Sequence, residues 1–349
     1  MTTFSSEEAR RLRERLPELG TNAAASANPL LDSYLSHYGL NSLSVPWPVR
    51  HNLGIVDSGS YRLVCQTFDI PAEQQQGRIV IVHGYYDHVG LYRHIIAYCL
   101  SRGLSVLTFD LPGHGLSSGD PAGINSFDEY SQALVDCLMS NTGQEHRGPW
   151  HIMAQSTGAS AVINCLLYPD RFPLGHTDKI IFLAPLIRPL NWTRGQLTFW
   201  LVRWLVKQVK RDFARNSHDE EFLEFVARGD PFQAVHLKVS WVKALRKFLR
   251  NFDRAQPSRI PVHIVQGTDD TTVDWRYNLP RLSEKFPAAS THIIDGARHH
   301  LVNESEEFRI KLFGILDTLI ELQPPEVNSD QEKSVKPDQD AVKTKEDRQ

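Results

Sequence analysis

Three short segments hold residue types that together could transfer an acyl group. The first, WHIMAQSTGAS from Trp150 to Ser160, runs a short apolar strand into Ser156 and leaves it along a helix of small residues. A serine hydroxyl is a weak nucleophile until a neighbouring base takes its proton. The spacing A-x-S-x-G, with Ala154 and Gly158 around Ser156, departs by one small residue from the strained G-x-S-x-G turn that presents such serines. Alanine is the least disruptive replacement, because the turn excludes side-chain bulk. Taken alone, the segment fits an incidental serine between a strand and a helix equally well. The second segment, GTDDTTVD, follows the strand-like run VHIVQ and offers three aspartates, Asp269, Asp270 and Asp274. A carboxylate at the C-terminal end of a strand lies on the ligand side of an open α/β sheet. The third, GARHHLVNE from Gly296 to Glu304, follows THII and offers His299 and His300. A histidine on a loop after a last strand can swing over the sheet edge to reach a serine.

Two further loops stand at strand ends. VHGYYDHVGL, Val82 to Leu91, follows the run RIVIV. A loop in this position supplies one backbone N–H to an oxyanion, and the residue after the nucleophile supplies the other. That nominates the amides of Tyr85 and Thr157. His83, Asp87 and His88 in the same loop compete as metal ligands, but no further His, Cys or Asp cluster at ligand spacing supports them. Structural hydrogen bonding is the better account of those histidines. FDLPGHGLSSG, Phe109 to Gly119, reads as a tight loop that shapes the core beneath the site.

These loops need strands to carry them. Near-continuous apolar runs at Arg78 to His83, Leu104 to Asp110, Lys179 to Ala184 and Val262 to Gln266 read as strands buried on both faces. Tyr61 to Phe68, Trp150 to Ala154 and Thr291 to Ile294 complete the strand set. Helical patterns at Tyr92 to Ser101, Phe127 to Met139, Ala159 to Leu167 and Glu306 to Leu322 alternate with them. The alternation predicts an α/β fold with a doubly wound, mostly parallel sheet and right-handed crossovers. Residues 1–50 form an N-terminal extension with helical patterns at Ser6 to Leu16 and Leu30 to Tyr38. Residues 51–186 and 257–322 form the core. Residues 187–256 lack a strand-like run and read as a helical cap inserted between two core strands. Residues 323–349, free of aromatics and rich in Asp, Glu, Lys, Gln and Pro, have the composition of a disordered tail.

Bulk properties narrow the function. A formal net charge of -3 disfavours nucleic acid, which needs a basic surplus. Cys65, Cys99, Cys137 and Cys165 sit singly in apolar segments, as small core residues do. The polar start carries no signal-peptide pattern, and no stretch reaches the roughly 20 apolar residues of a membrane span. The expected compartment is the cytoplasm.

The chain resembles the monoglyceride lipase, lysophospholipase and serine aminopeptidase-like branch of the α/β-hydrolases over Tyr61 to Leu322. HGYYDHVGLY is similar to that branch's H-G-x-x-E/D-H-x-x-x-Y, and FDLPGHGLSSG to its D-x-x-G-H-G-x-S-x-G. GTDDTTVD resembles G-x-x-D-x-x-V-D, which puts the acid at Asp270. ARHHLVNE resembles a stretch H-E-L-L-N-E, which puts the base at His299. The order Ser…Asp…His is that of this fold. Ala154 and His300 depart from the branch's pattern. The resemblance implies an α/β-hydrolase fold and ester hydrolysis by Ser156, His299 and Asp270, with the Tyr85 and Thr157 amides as oxyanion hole. It requires no metal or organic cofactor. The implied partner is a small-molecule acyl ester or lipid.

Alternatives on the same fold are a thioesterase and an aminopeptidase, the latter needing an acidic anchor among Glu220, Glu221 and Glu224. An epoxide hydrolase would need Asp where Ser156 stands. A non-enzymatic alternative is an inert binding or scaffold protein. The insertion from Arg188 to Gln256 holds 14 Lys and Arg against 7 Asp and Glu. LTFWLVRWLVKQVK, Leu197 to Lys210, reads as an amphipathic helix with Arg203, Lys207 and Lys210 on one face and Trp200, Leu201, Trp204 and Leu205 elsewhere. Trp241 to Phe252 repeats the theme with Lys243, Lys247 and Arg250. Such helices can lie on an anionic membrane surface, giving peripheral contact at the inner membrane. The competing account is a cap whose apolar side packs on the core and whose basic side is solvated.

Overall fold

The computed structural model of the chain describes residues 4–20, 28–141, 148–193 and 206–321. Its sheet is built from β1 (Arg50–Ser58), β2 (Tyr61–Asp69), β3 (Gly77–Val82), β4 (Leu104–Phe109), β5 (Trp150–Gln155), β6 (Lys179–Leu183), β9 (His263–Gly267) and β10 (Ser290–Ile294). The strand order is β1-β2-β4-β3-β5-β6-β9-β10. β1 and β2 form an antiparallel hairpin, and β2 runs antiparallel to β4. All pairs from β4 to β10 are parallel. Between β6 and β9 lie two three-residue strands, β7 (Gln208–Lys210) and β8 (His236–Lys238), which pair antiparallel.

Strand pleat decides which side chains enter which core. Val80 and Val82 of β3 join one buried cluster, and Ile79 and Ile81 the other. The first cluster is covered by α4 (Phe127–Met139), α5 (Thr157–Leu167), α7 (Val239–Arg254) and α8 (Trp275–Lys285). The second is covered by α1 (Ser6–Arg15), α2 (Pro29–Tyr38), α3 (Arg93–Ser101) and α9 (Glu306–Ile320). Helices on both faces explain why β3 and β4 are buried at every residue. This is the doubly wound sheet that the apolar runs predict. The four cysteines are buried free thiols.

The described residues of the first fifty contribute to the core. α1 carries a capping box between Ser5 and Glu8, which satisfies two otherwise orphaned amides. Phe4, Leu12, Tyr34 and Tyr38 are buried. Pro17 and Leu19 exchange backbone hydrogen bonds with Ile55, so this segment covers the outer edge of β1. A methyl on Gly54 would meet the Leu19 backbone, so glycine is needed at this close approach.

The insertion, expected to lack strands, holds both β7 and β8. Residues 208–210 form a strand rather than the end of a helix, and a short helix, α6 (Glu220–Glu224), follows. Strands of three residues are too short to leave a readable period. Lys207 and Lys210 therefore do not share a helical face. Arg203, Trp200, Leu201, Trp204 and Leu205, and the tail from residue 323, lie outside the described residues. For α7 the packing account holds. Trp241, Ala244, Leu245, Phe248 and Phe252 are buried. Phe248 stacks on Phe127 of α4 at 4.9 Å between centroids. Among the described residues, no helix is long and apolar enough to cross a membrane.

Candidate active site

Ser156 stands between β5 and α5 with φ 51° and ψ -112°. A non-glycine residue in this region is strained, and such strain persists only where the surroundings impose it. Here they do. The Ser156 amide donates to the Leu183 carbonyl of β6, and its carbonyl accepts from Leu186. At Gly158 a methyl group would overlap the carbonyl oxygens of Val82 and His83. That close approach explains the glycine two residues after the serine. Ala154, where the common pattern has glycine, is buried in β5 opposite Val82.

The three nominated segments meet at this turn. His299 Nε2 lies 3.0 Å from Ser156 Oγ. His299 Nδ1 lies 2.7 Å from Asp270 Oδ2. The Asp270 side chain also accepts from the Thr272 and Val273 amides at 2.8 and 3.0 Å and from Gln266 Nε2 at 3.0 Å. Burial alone would raise the Asp270 carboxyl's pKa. The His299 charge and hydrogen bond, followed by the Val273 amide and Gln266, outweigh it, and the pKa is lowered. All three residues are buried.

The competing aspartates and the second histidine are separated by geometry. Asp269 is exposed. Asp274 caps α8 through Tyr277 N–H and pairs with Arg188 at 2.6 Å. His300 Nε2 lies 3.0 Å from Asp87 Oδ1, and its ring packs on Phe222 at 4.9 Å between centroids. Asp87 also accepts from Tyr92 Oη and the Gly84 amide.

The loop after β3 is fixed by its histidines. His83 Nε2 accepts from the Leu111 amide at 2.9 Å, so Nδ1 is the atom that donates to the Gly84 carbonyl at 2.7 Å. Burial, then the charge of His114, lowers the His83 pKa to about 3, and the ring stays neutral. Pinning the Gly84 carbonyl orients the whole Gly84–Tyr85 peptide, and the trans geometry directs the Tyr85 N–H away from His83. A methyl on Gly84 would sit 3.3 Å from Ser156 Cβ, so this peptide runs beside the serine. Thr157 opens α5, where amides have no intrahelical carbonyl. Below the loop, Asp110 accepts from the Val89 and Leu116 amides at 2.8 and 2.7 Å, which ties FDLPGHG to its neighbour.

Ser156, Thr157, Tyr85 and His299 open onto a cavity of about 600 Å³. Leu186, Trp192, Leu237, Val239, Trp241 and Val273 are among its apolar lining. Trp241 of α7 stacks on Tyr85 at 4.0 Å, so the insertion forms part of the wall. Three residues that sequence reasoning missed hold this wall down. Asp230 accepts from Tyr38 Oη at 2.8 Å and from Gln233 Nε2 at 2.7 Å, and pairs with His88 at 2.9 Å. Gln233 Nε2 also donates to the Tyr86 carbonyl, and its Oε1 accepts from Arg211. No local signal marks Asp230, Gln233 or Arg211, because the partners that tie them to the wall, Tyr38, His88 and Tyr86, are distant in the chain.

The model of the family described as serine aminopeptidase, S33, matches residues 73–306. The chain belongs to this family. Among curated relatives of this S33 member, an uncharacterized abhydrolase domain-containing protein of Dictyostelium discoideum is 30% identical over 60% of this chain and 22% of its own length. The chain thus spans less than a quarter of that relative. A probable lysophospholipase L2 of Haemophilus influenzae is 22% identical over 66% of this chain and 79% of its own. Among solved structures, a soluble variant of monoglyceride lipase from Saccharomyces cerevisiae in complex with a substrate analogue superimposes with a TM-score of 0.63. It shares 16% identity and covers 80% of this chain and 98% of its own. The S33 member therefore has the α/β-hydrolase fold, with an insertion between β6 and β9.

Proposed function

We propose that this protein hydrolyses carboxylic esters of acyl chains, of the lysophospholipid or monoacylglycerol type. The observation that carries the proposal is the hydrogen-bonded series Ser156–His299–Asp270 at the wall of an apolar cavity. Ser156 Oγ attacks the ester carbonyl while His299 Nε2 takes its proton. Asp270 holds the imidazole in the tautomer with a free Nε2 lone pair and stabilises its charged form. The Tyr85 and Thr157 amides receive the oxyanion; one such donor is worth about 3 to 4 kcal/mol in a well-studied protease. His299 then returns the proton to the leaving alcohol. Water, activated by the same base, releases the acyl group. The described residues of the insertion, 187–193 and 206–256, serve as the cap that walls the acyl pocket.

Esters are favoured over N-terminal peptides by the placement of carboxylates. Glu220 pairs with Arg215 and Glu224 with Arg228, and neither they nor Glu221 line the cavity. Of the acidic residues that do, Asp87 is bound to His300 and Asp212 is exposed. No carboxylate is left inside to hold a substrate ammonium, among the described residues. Relatives named as lysophospholipase and monoglyceride lipase support the same class. Peripheral contact with an anionic lipid surface belongs to this reading. Leu190, Val206, Val209, Phe213 and Val235 are exposed on the insertion that also carries exposed Lys207 and Lys210.

The test pairs wild type with Ser156→Ala on p-nitrophenyl esters from acetate to palmitate, beside a thioester and an aminoacyl amide. Each methylene buried in the pocket adds about 0.8 kcal/mol, so kcat/KM should rise about fourfold per methylene until the pocket fills. Ser156→Ala should lower kcat by about 10⁶ and abolish fluorophosphonate labelling. A flat chain-length profile removes the acyl pocket, and a wild type inert to the probe makes the protein a scaffold. Sedimentation with phosphatidylglycerol vesicles, weakened by salt, checks the surface contact; no sedimentation removes it.

A further inference from the structure

The cavity contains a cation that the hydrolytic series does not use. Arg211 lines it, half-buried, with its guanidinium 3.8 Å from the Tyr86 ring centroid and 4.5 Å from that of Phe213. One of its nitrogens, Nη1, donates to Gln233 Oε1 at 2.8 Å and to the Ala234 carbonyl at 3.3 Å. Both acceptors are neutral. Among the described residues, no carboxylate lies within ion-pair distance of it. Burial lowers its pKa, with the nearby Tyr86, Asp87, Tyr85 and Asp230 acting against that. Asp87 and Asp230, the two carboxylates in that set, are already bound by His300 and His88. Lys210 also lines the cavity and is exposed at the rim.

A guanidinium has five N–H donors in a planar fork that matches an oxyacid in pairs. Holding it in a largely apolar cavity without a counter-charge is unfavourable. The aromatic faces of Tyr86 and Phe213 and the Gln233 clasp fix its position, and among the described residues Nε and Nη2 have no hydrogen-bond acceptor. Tyr86 is two residues along the loop from Gly84, which runs beside Ser156. Arg211 and Ser156 line the same cavity, so an anion held by Arg211 would share that cavity with the ester at the serine.

We infer that Arg211 is a specificity residue that reads a negatively charged oxyacid group, phosphate or carboxylate, carried by the acyl ester taken at Ser156. This rests on the esterase reading for the reaction but not for the binding. Anionic monoacyl esters such as lysophosphatidic acid are then preferred over neutral monoacylglycerols of the same chain.

Calorimetric titration of decyl phosphate, undecanoate and neutral decyl glucoside, each below its micellar concentration, tests the binding. Wild type should bind decyl phosphate at least about tenfold tighter than decyl glucoside, which corresponds to about 1.4 kcal/mol. Arg211→Gln should bring the two to near parity, and Arg211→Lys should keep part of the difference. An equal preference for undecanoate assigns the recognition to charge; a preference for decyl phosphate alone assigns it to phosphate geometry, and either supports the inference. Equal affinities in wild type overturn it, and so does a preference that survives in Arg211→Gln. If Arg211→Gln does not fold, wild type decides: the preference must shrink as salt rises from about 0.02 M to about 0.5 M, and a salt-independent preference overturns the inference. In parallel, 1-oleoyl lysophosphatidic acid and 1-oleoylglycerol are compared as substrates by the ratio of their kcat/KM values. Failure to cleave either sinks the esterase reading and leaves the binding result to stand or fall by itself.

Discussion

Replacing Asp270 by asparagine should disable the site without unfolding it, and the hydrogen bonds say why. One side-chain oxygen of Asp270 accepts two backbone amides, from Thr272 and Val273. The other accepts from Gln266 and faces His299 Nδ1 at 2.7 Å. Asn has one oxygen and one NH₂ group. The two amides fix the oxygen on their side, because leaving two buried donors unpaired is the costlier choice. The NH₂ group then points at His299 Nδ1, which must become an acceptor. The imidazole is driven into the tautomer with its proton on Nε2, and Nε2 can no longer take the proton of Ser156. Loss of this tautomer costs about 10⁴ in kcat in a well-studied protease, or about 5.5 kcal/mol in activation free energy. The assay is single-turnover and steady-state hydrolysis of a p-nitrophenyl ester, with thermal unfolding alongside. Asp269→Asn, at an exposed position, should leave kcat near wild type, because Asp270 and not Asp269 is bonded to His299, and should change stability by no more than about 0.5 kcal/mol. Asp274→Asn keeps a carbonyl oxygen for the α8 cap but breaks the Arg188 pair, so it should lower stability slightly while sparing most of kcat. An Asp270→Asn enzyme with more than a tenth of wild-type kcat would refute the tautomer reasoning, and a larger loss at Asp269 would refute the assignment.

Two further outcomes follow from buried pairs. Among the described residues, His300→Ala leaves the Asp87 carboxylate with Tyr92 and the Gly84 amide, so it should cost about 3 kcal/mol of stability, the lower end for breaking a buried pair; an unchanged unfolding midpoint refutes this. For His88 and Asp230, burial opposes both charges. The pairing outweighs it, raising the His88 pKa and lowering that of Asp230 to about 2. A raised histidine pKa gives stability that is complete below the ordinary 6.5 and is lost as pH rises through the folded value. A lowered carboxyl pKa gives stability that is lost as pH falls from 3.8 toward about 2. Unfolding midpoints of wild type between pH 5 and 9 (about that range, set by the histidine) should fall relative to those of Asp230→Asn, and parallel curves refute the pair's role.

The sequence made the parallel sheet legible because strands buried on both faces cannot avoid runs such as RIVIV and KIIFL. It hid β1, whose polar start and Gly54 weaken the alternation, and β7 and β8, whose three residues carry no period. The segments of Ser156, Asp270 and His299 could be nominated because each lies just after a strand and each is a local pattern. Proximity along the chain could not separate Asp269, Asp270 and Asp274; the motif resemblance nominated Asp270, and in space it is the Asp270 carboxylate that faces His299. The cavity wall was illegible for a different reason. His88 and Asp230 are 142 positions apart, and a buried aspartate looks like a surface one until its partner is known.

That wall also bears on recombination between relatives. Asp230 of the insertion is shared by Tyr38 of the N-terminal segment and His88 of the loop beside Ser156. An exchange of residues 187–256 for the matching piece of another family member would leave Tyr38 and His88 facing a stranger. Where that piece lacks an acidic residue at the junction, a buried histidine and a buried phenol lose their common acceptor. The transferable module is therefore discontinuous: the insertion travels with positions 38 and 88, and crossover points chosen from the chain order alone would cut it in three.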